Sequence, residues 1–139
     1  MIASRTDARD RILSPLKDVV DTYSLYAIYD DTVRQPPEDG SSPWVRIQVR
    51  HRAGVRASLG RADGKGKHDQ TGFIFIEIYT PREDGLTDSD QYSAAFAEKL
   101  RKFPDGDIWI VEVVATEVGD DGNWYRVDVI ADFEYDLIQ

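Results

Sequence analysis

At 139 residues the chain is about one domain long, and its 41% hydrophobic and 31% charged residues fit a folded domain with its own core rather than a disordered chain. It has no cysteine, which excludes disulfides and thiolate metal sites. Its net charge of -9 disfavours wrapping duplex DNA, because phosphate neutralisation needs clustered Lys and Arg.

The first segment, Met1 to Lys17, is charge-rich and lacks the apolar core of a secretion signal. Ser4 to Tyr23 is predicted to be a helix. Ser4 or Thr6 can cap it, Asp7 suits the first turn, and Ala8, Ile12, Leu16, Val19, Val20 and Tyr23 form one stripe at helical spacing. Pro15 removes one backbone hydrogen bond and should kink or split that helix. Tyr26 to Tyr29 reads as a short strand, and Asp30 to Pro43, with Pro36-Pro37 and Asp39-Gly40, as a loop.

Trp44 to Arg52 alternates: Val45, Ile47 and Val49 face one way, and Trp44, Arg46, Gln48 and Arg50 the other. Ala53 to Gln70, with Gly54, Gly60, Gly64 and Gly66, is too long for a tight turn and is expected to be a flexible loop. Thr71 to Thr80 is the second strong strand. Gly72, Ile74, Ile76 and Ile78 lie on one face, and Phe73, Phe75, Glu77 and Tyr79 on the other; Pro81 ends it. Asp88 or Ser89 is expected to cap a second helix through about Phe103, with Tyr92, Ala95, Phe96 and Leu100 as its stripe and Pro104-Asp105-Gly106 as its stop. Ile108 to Val118 and Trp124 to Tyr135 complete a hairpin across the turn residues 119–123. The expected fold class is α+β: one domain over residues 1–139, with a mainly antiparallel sheet of four to five strands packed against two helices.

No catalytic constellation emerges. The run Gly60 to His68 resembles a phosphate loop but lacks its spacing and leads into a strand, not a helix. His51 and His68, without cysteine, make a weak metal pair. Asp30-Asp31, Asp88-Ser89-Asp90 and Asp120-Asp121 sit where acids cap helices or solubilise turns. There is no Gly-x-Ser-x-Gly elbow. These features predict a non-enzymatic protein without metal or cofactor.

Two features point to contact with other proteins. Arg50, Arg52, Arg56, Arg61, Lys65 and Lys67, with His68 beside them, make a basic stretch in an acidic chain and form the candidate interaction loop. It carries no interleaved aromatic for base stacking, so any DNA contact is incidental. Trp44, Phe73, Phe75, Tyr79, Trp109 and Trp124 lie opposite the aliphatic faces of their strands. They suit either a second packed layer or an intersubunit surface.

The series Trp44-Val45-Arg46-Ile47, Ala57-Ser58-Leu59-Gly60, Thr71-Gly72-Phe73-Ile74-Phe75-Ile76-Glu77-Ile78-Tyr79 with Pro81, and Gly122-Asn123-Trp124-Tyr125-Arg126-Val127-Asp128-Val129 resembles a family of small phage and prophage proteins. This is the tail-terminator or minor-tail-completion group, a phage-related domain of unknown function. The likeness runs from the first helix to Phe133. It implies a structural subunit that forms a hexameric ring, caps the tail tube and meets the head connector; ordering of the basic loop only on assembly would keep the free subunit monomeric. It also implies a place in the virion tail, assembled in the bacterial host cytoplasm, and no membrane partner. A head-closure or head-tail joining protein is the alternative, and a small nucleic-acid-binding accessory protein a more distant one.

Overall fold

The computed structural model describes residues 1–30, 35–37, 42–52 and 70–137. Helix α1 spans Arg5–Thr22, and Ser4 caps it, its Oγ accepting from the Asp7 N–H at 3.0 Å. The predicted stripe is buried: Ala8, Ile12, Leu16, Val19 and Val20 all enter the core. Pro15 does not split the helix. It lies inside one continuous helix and is itself buried, so apolar burial offsets the forgone hydrogen bond. Arg11 ties α1 to the segment before the last hairpin through Asp107 at 2.9 Å and Asp105 at 3.4 Å.

Among the described residues there are five strands: β1 (Tyr26–Tyr29), β2 (Trp44–His51), β3 (Gln70–Pro81), β4 (Trp109–Asp121) and β5 (Trp124–Tyr135). They form one sheet in the order β1-β2-β3-β5-β4. Only β1 and β2 are parallel; every other pair is antiparallel. The α+β architecture with two helices and a mainly antiparallel sheet is therefore as the strand patterns predict.

Helix α2 spans Thr87–Arg101 and differs at both ends from expectation. Neither Asp88 nor Ser89 caps it: Leu86 is the N-cap, without a side-chain bond. Ser89 is instead buried in the first turn and its hydroxyl donates to the Leu86 carbonyl at 2.9 Å. Asp88 and Asp90 still favour the positive end of the helix. The helix stops before Phe103, because the residue preceding a proline, here Pro104, is pushed out of the helical region.

The last hairpin is also tighter than predicted. Its strands run to Asp121 and from Trp124, leaving only Gly122 and Asn123 as the turn. Gly122 has φ +67, the positive value that two-residue hairpin turns require. The remaining turn-like residues lie in β4, where register shifts fall between Val111 and Val114 and between Glu117 and Gly119.

Both helices cover one face of the sheet. Val45, Ile47, Val49, Ile74, Ile76, Ile78, Val129 and Phe133 meet Ile12, Leu16, Phe96 and Leu100 there in a single core. Burying each such side chain contributes about 1.5–3 kcal/mol. Gly72 is required at its position: a Cβ there would lie 2.2 Å from the Arg50 carbonyl oxygen and 2.4 Å from the Phe133 ring.

Candidate interaction surface

Among the described residues, no helix lies on the other face of the sheet. Strand alternation puts there Trp44, Arg46, Gln48 and Arg50 of β2, with Phe73, Phe75, Glu77 and Tyr79 of β3. Arg126, Asp128, Ile130, Asp132 and Glu134 of β5 continue the rows, ending on Thr116, Val114, Val111 and Trp109 of β4. The two ends of this face differ.

At the end nearest the hairpin turn, aromatics form a small second layer. Trp44 stacks on Tyr79 with ring centroids 4.0 Å apart, and Trp124 meets Trp44 edge-on at 6.1 Å. Trp44, Tyr79 and Ile28 are buried, with Tyr26 and Trp124 packed around them. A polar network borders this layer. Arg126 grips Asp128 with two hydrogen bonds, Nε to Oδ1 at 2.8 Å and Nη2 to Oδ2 at 3.0 Å. It also lies 3.6 Å from Glu77, and Arg46 approaches Glu77 at 3.9 Å from the other side. The Tyr79 hydroxyl donates to Glu77 at 2.6 Å. Burial and that bond raise the Tyr79 phenol well above its ordinary value, so it stays a donor at every working pH. The hydrogen bonds to Asp128 hold Arg126 still more firmly protonated. Glu77 and Asp128 are cross-strand neighbours and both buried, so the cation between them is what lets two carboxylates share the site.

At the opposite end the face is open. Trp109, Val111 and Val114 are 46%, 40% and 52% exposed, and Phe73, Phe75 and Ile130 beside them are half-buried. Val118, at the second register shift of β4, is 49% exposed. A contiguous apolar strip of this kind marks an interaction site more often than chance exposure does.

Of the candidate interaction loop, Arg50 and Arg52 are described and lie at the margin of this open end. Arg50 pairs with Asp30 at 3.1 Å. Arg52 pairs with Asp132 at 2.8 Å, its guanidinium 6.0 Å from the Phe73 ring centre. Arg56, Arg61, Lys65, Lys67 and His68 lie outside the described residues. Asp30 also accepts the Val49 N–H at 3.1 Å, which gives it a structural role.

His51 takes a core position at the end of β2. Its Nε2 shares a 2.6 Å hydrogen bond with the Tyr135 hydroxyl, and its ring packs edge-on against Phe133. Burial, with Arg5 and Arg9 nearby, lowers its pKa to about 4, so the imidazole is neutral at pH 7. Among the described residues, no three His, Asp or Glu side chains gather as a metal-binding group.

The exposed valines of β4 were not singled out by the sequence pattern. The Arg126–Asp128–Glu77 network was legible in part, since alternation already placed Arg46 beside Trp44 and Glu77 beside Tyr79.

No family model and no curated protein matches the chain. Fourteen chains of solved structures do match in fold. One of them superposes with a TM-score of 0.60 at 16% identity, over 94% of this chain and 97% of its own. A likeness at that identity shows a shared fold across nearly the whole of both chains, and nothing about activity.

Proposed function

We propose that this chain is a structural subunit of a phage or prophage tail, of the tail-terminator type, which assembles into a ring, caps the tail tube and meets the head connector. The observation that carries this reading is the open end of the helix-free sheet face. Three large apolar side chains of β4 stand exposed beside half-buried Phe73, Phe75 and Ile130. A lone subunit leaves that surface in water, whereas a neighbouring subunit would cover it. The α+β layering, two helices on one side of a mainly antiparallel sheet, is also what the resemblance to tail terminators implies.

A ring is a closed series of contacts in which one patch meets a different patch on the next copy. Subunits of that kind work by shape and charge, and the reading assigns no reaction to the protein. A head-closure or head-tail joining role uses the same surfaces with other partners. A gene placed just before the tail-tube gene favours the terminator.

The decisive experiment is electron microscopy of the concentrated protein, alone and mixed with its cognate tail-tube protein. Rings, or tubes ending in a capped disc, are the expected result. A protein that stays monomeric in light scattering and leaves tube length unchanged overturns the reading.

A further inference from the structure

Helix α1 carries three arginines in its first two turns, and their surroundings differ. Arg11 meets three carboxylates: Asp7 at 3.3 Å, Asp105 at 3.4 Å and Asp107 at 2.9 Å. Among the described residues, no carboxylate pairs with Arg5 or Arg9. Arg5 Nε donates to the Gln70 side-chain oxygen at 3.3 Å, and Arg9 Nε to the Val49 carbonyl at 3.5 Å. Both bonds are long and use the inner nitrogen, so the outer nitrogens of both forks have no partner among the described residues. Arg5 is exposed and Arg9 half-buried.

Left this way, the two side chains work against the fold. Arg5 opens the helix, at the end where the helix dipole is positive and cations are disfavoured. Arg9 follows at i+4, the spacing at which like charges repel. Both lie close enough to His51, which burial already keeps neutral, to hold its pKa down further. The chain has 26 acids against 17 bases, so carboxylates are not scarce. A local arrangement that costs stability without compensation in the chain is expected where a site serves a function.

The geometry points to a docking site for an acidic protein segment at this corner, with Arg9 and Arg5 gripping Asp or Glu side chains of the partner. Beside them a cavity of about 210 Å³ is lined by Arg9, Asp30, Val49 and Arg50. It is smaller than the roughly 300 Å³ at which sites for small organic ligands begin, and suits one side chain. Asp30 does not compete for Arg9: its Oδ2 accepts the Val49 N–H and its Oδ1 accepts from Arg50, both at 3.1 Å. A free guanidinium fork matches the two oxygens of a carboxylate. A phosphate backbone fits less well. Neutralising it takes many cations, and here Arg50 and Arg52 are already paired, with Asp30 and Asp132, in a chain of net charge -9. The site is separate from the apolar strip of β4, since β3 and β5 stand between that strand and β2, and it does not depend on ring assembly.

The test uses the full chain and a dye-labelled hexaglutamate peptide, read by fluorescence anisotropy at about 50 mM salt, with hexathymidylate carrying the same dye as the competing polyanion. Hexaglutamate should bind, and Arg5→Gln with Arg9→Gln should weaken it by about tenfold or more. Lys99→Gln with Arg101→Gln, the same change of charge on α2, should leave binding as it is. The Arg5 and Arg9 double variant should melt no lower than the unaltered protein, because it removes a repulsion and a cation at the positive helix end. No binding at about 1 mM peptide overturns the proposal, and so does equal binding by the double variant. Tighter binding of hexathymidylate, lost in the same variant, gives the corner to nucleic acid and overturns it. A melting temperature lower by about 5 °C or more makes the two arginines part of the fold and also overturns it.

Discussion

The two faces of the same sheet follow different rules. On the helix-covered face every strand contributes aliphatic or aromatic side chains to one core, and the requirement is volume: Gly72 and Phe133 fit together because one lacks a side chain. On the helix-free face no helix among the described residues supplies partners, so the strands supply their own. One end does so with stacked Trp44 and Tyr79 and an arginine shared between carboxylates. The other end does not, and leaves apolar groups in water. Packing is concentrated in the first face and in the packed end of the second; the proposed association would use what is left.

The largest expected effect breaks the covered face. Gly72→Val would drive a branched side chain into the Arg50 carbonyl and the Phe133 ring. The Arg50 carbonyl cannot move without shifting a strand, and the Phe133 ring is held in the core, so we expect a loss of about 3 kcal/mol or more. Urea unfolding of the variant measures it. A loss under about 1 kcal/mol would show that Phe133 can swing away, and that the face is looser than its packing indicates.

Next comes the packed end of the helix-free face. Arg126→Ala leaves Glu77 and Asp128 facing each other, both buried, with Arg46 the remaining cation near Glu77. We expect a loss of about 2–3 kcal/mol at pH 7, somewhat below the cost of a fully buried pair because Arg126 is partly solvated. Urea unfolding at pH 7 measures it. A loss under about 1 kcal/mol would mean that Arg126 contributes little beyond its packing on Tyr79.

His51 gives a smaller effect with a defined pH window. Its folded pKa, about 4, lies below the ordinary value of 6.5, so the unfolded chain binds the proton first. The stability associated with neutral His51 is complete above pH 6.5 and is lost as pH falls from 6.5 through about 4. The loss is about 2 kcal/mol. Unfolding free energies of the unaltered protein and His51→Asn, compared at pH 7 and pH 4, should converge by that amount. A gap that does not change would place the histidine in water.

Alternation and helical spacing made most of the fold legible. They placed Val45, Ile47 and Val49 opposite Trp44, Arg46 and Gln48, and gave the buried stripe of α1, because those faces are decided by local period. The ends of α2 were missed because Leu86 caps it through backbone geometry alone, which leaves no side-chain signature. The length of the last hairpin was missed because Gly119 and Asp120 are turn-forming types that here sit beside a bulge. Each bulge also shifts the phase of alternation, so Val113 packs on the core while Val111, Val114 and Val118 are exposed. The aromatics offered two readings, and each fits a different end: Trp44 and Tyr79 are a packed layer, whereas Trp109 is 46% exposed. Nothing in local sequence separates those cases, since burial on this face depends on which neighbours lie across the strands.

The smallest effect on stability carries the most weight for the comparison. Val114 is 52% exposed and lies between Ile130 on β5 and solvent. Val114→Thr keeps the β-branched shape that suits a strand and adds one hydroxyl in water, so the unfolding free energy should move by less than about 0.5 kcal/mol. Buried in an interface, that hydroxyl would lose its water contacts and weaken association by about tenfold. Thermal melts paired with light scattering at several concentrations separate the two outcomes. Unchanged melting with impaired association would show that the open end is reserved for a neighbour. A melting temperature that falls with association intact would make Val114 part of the fold and erase the distinction between the two ends.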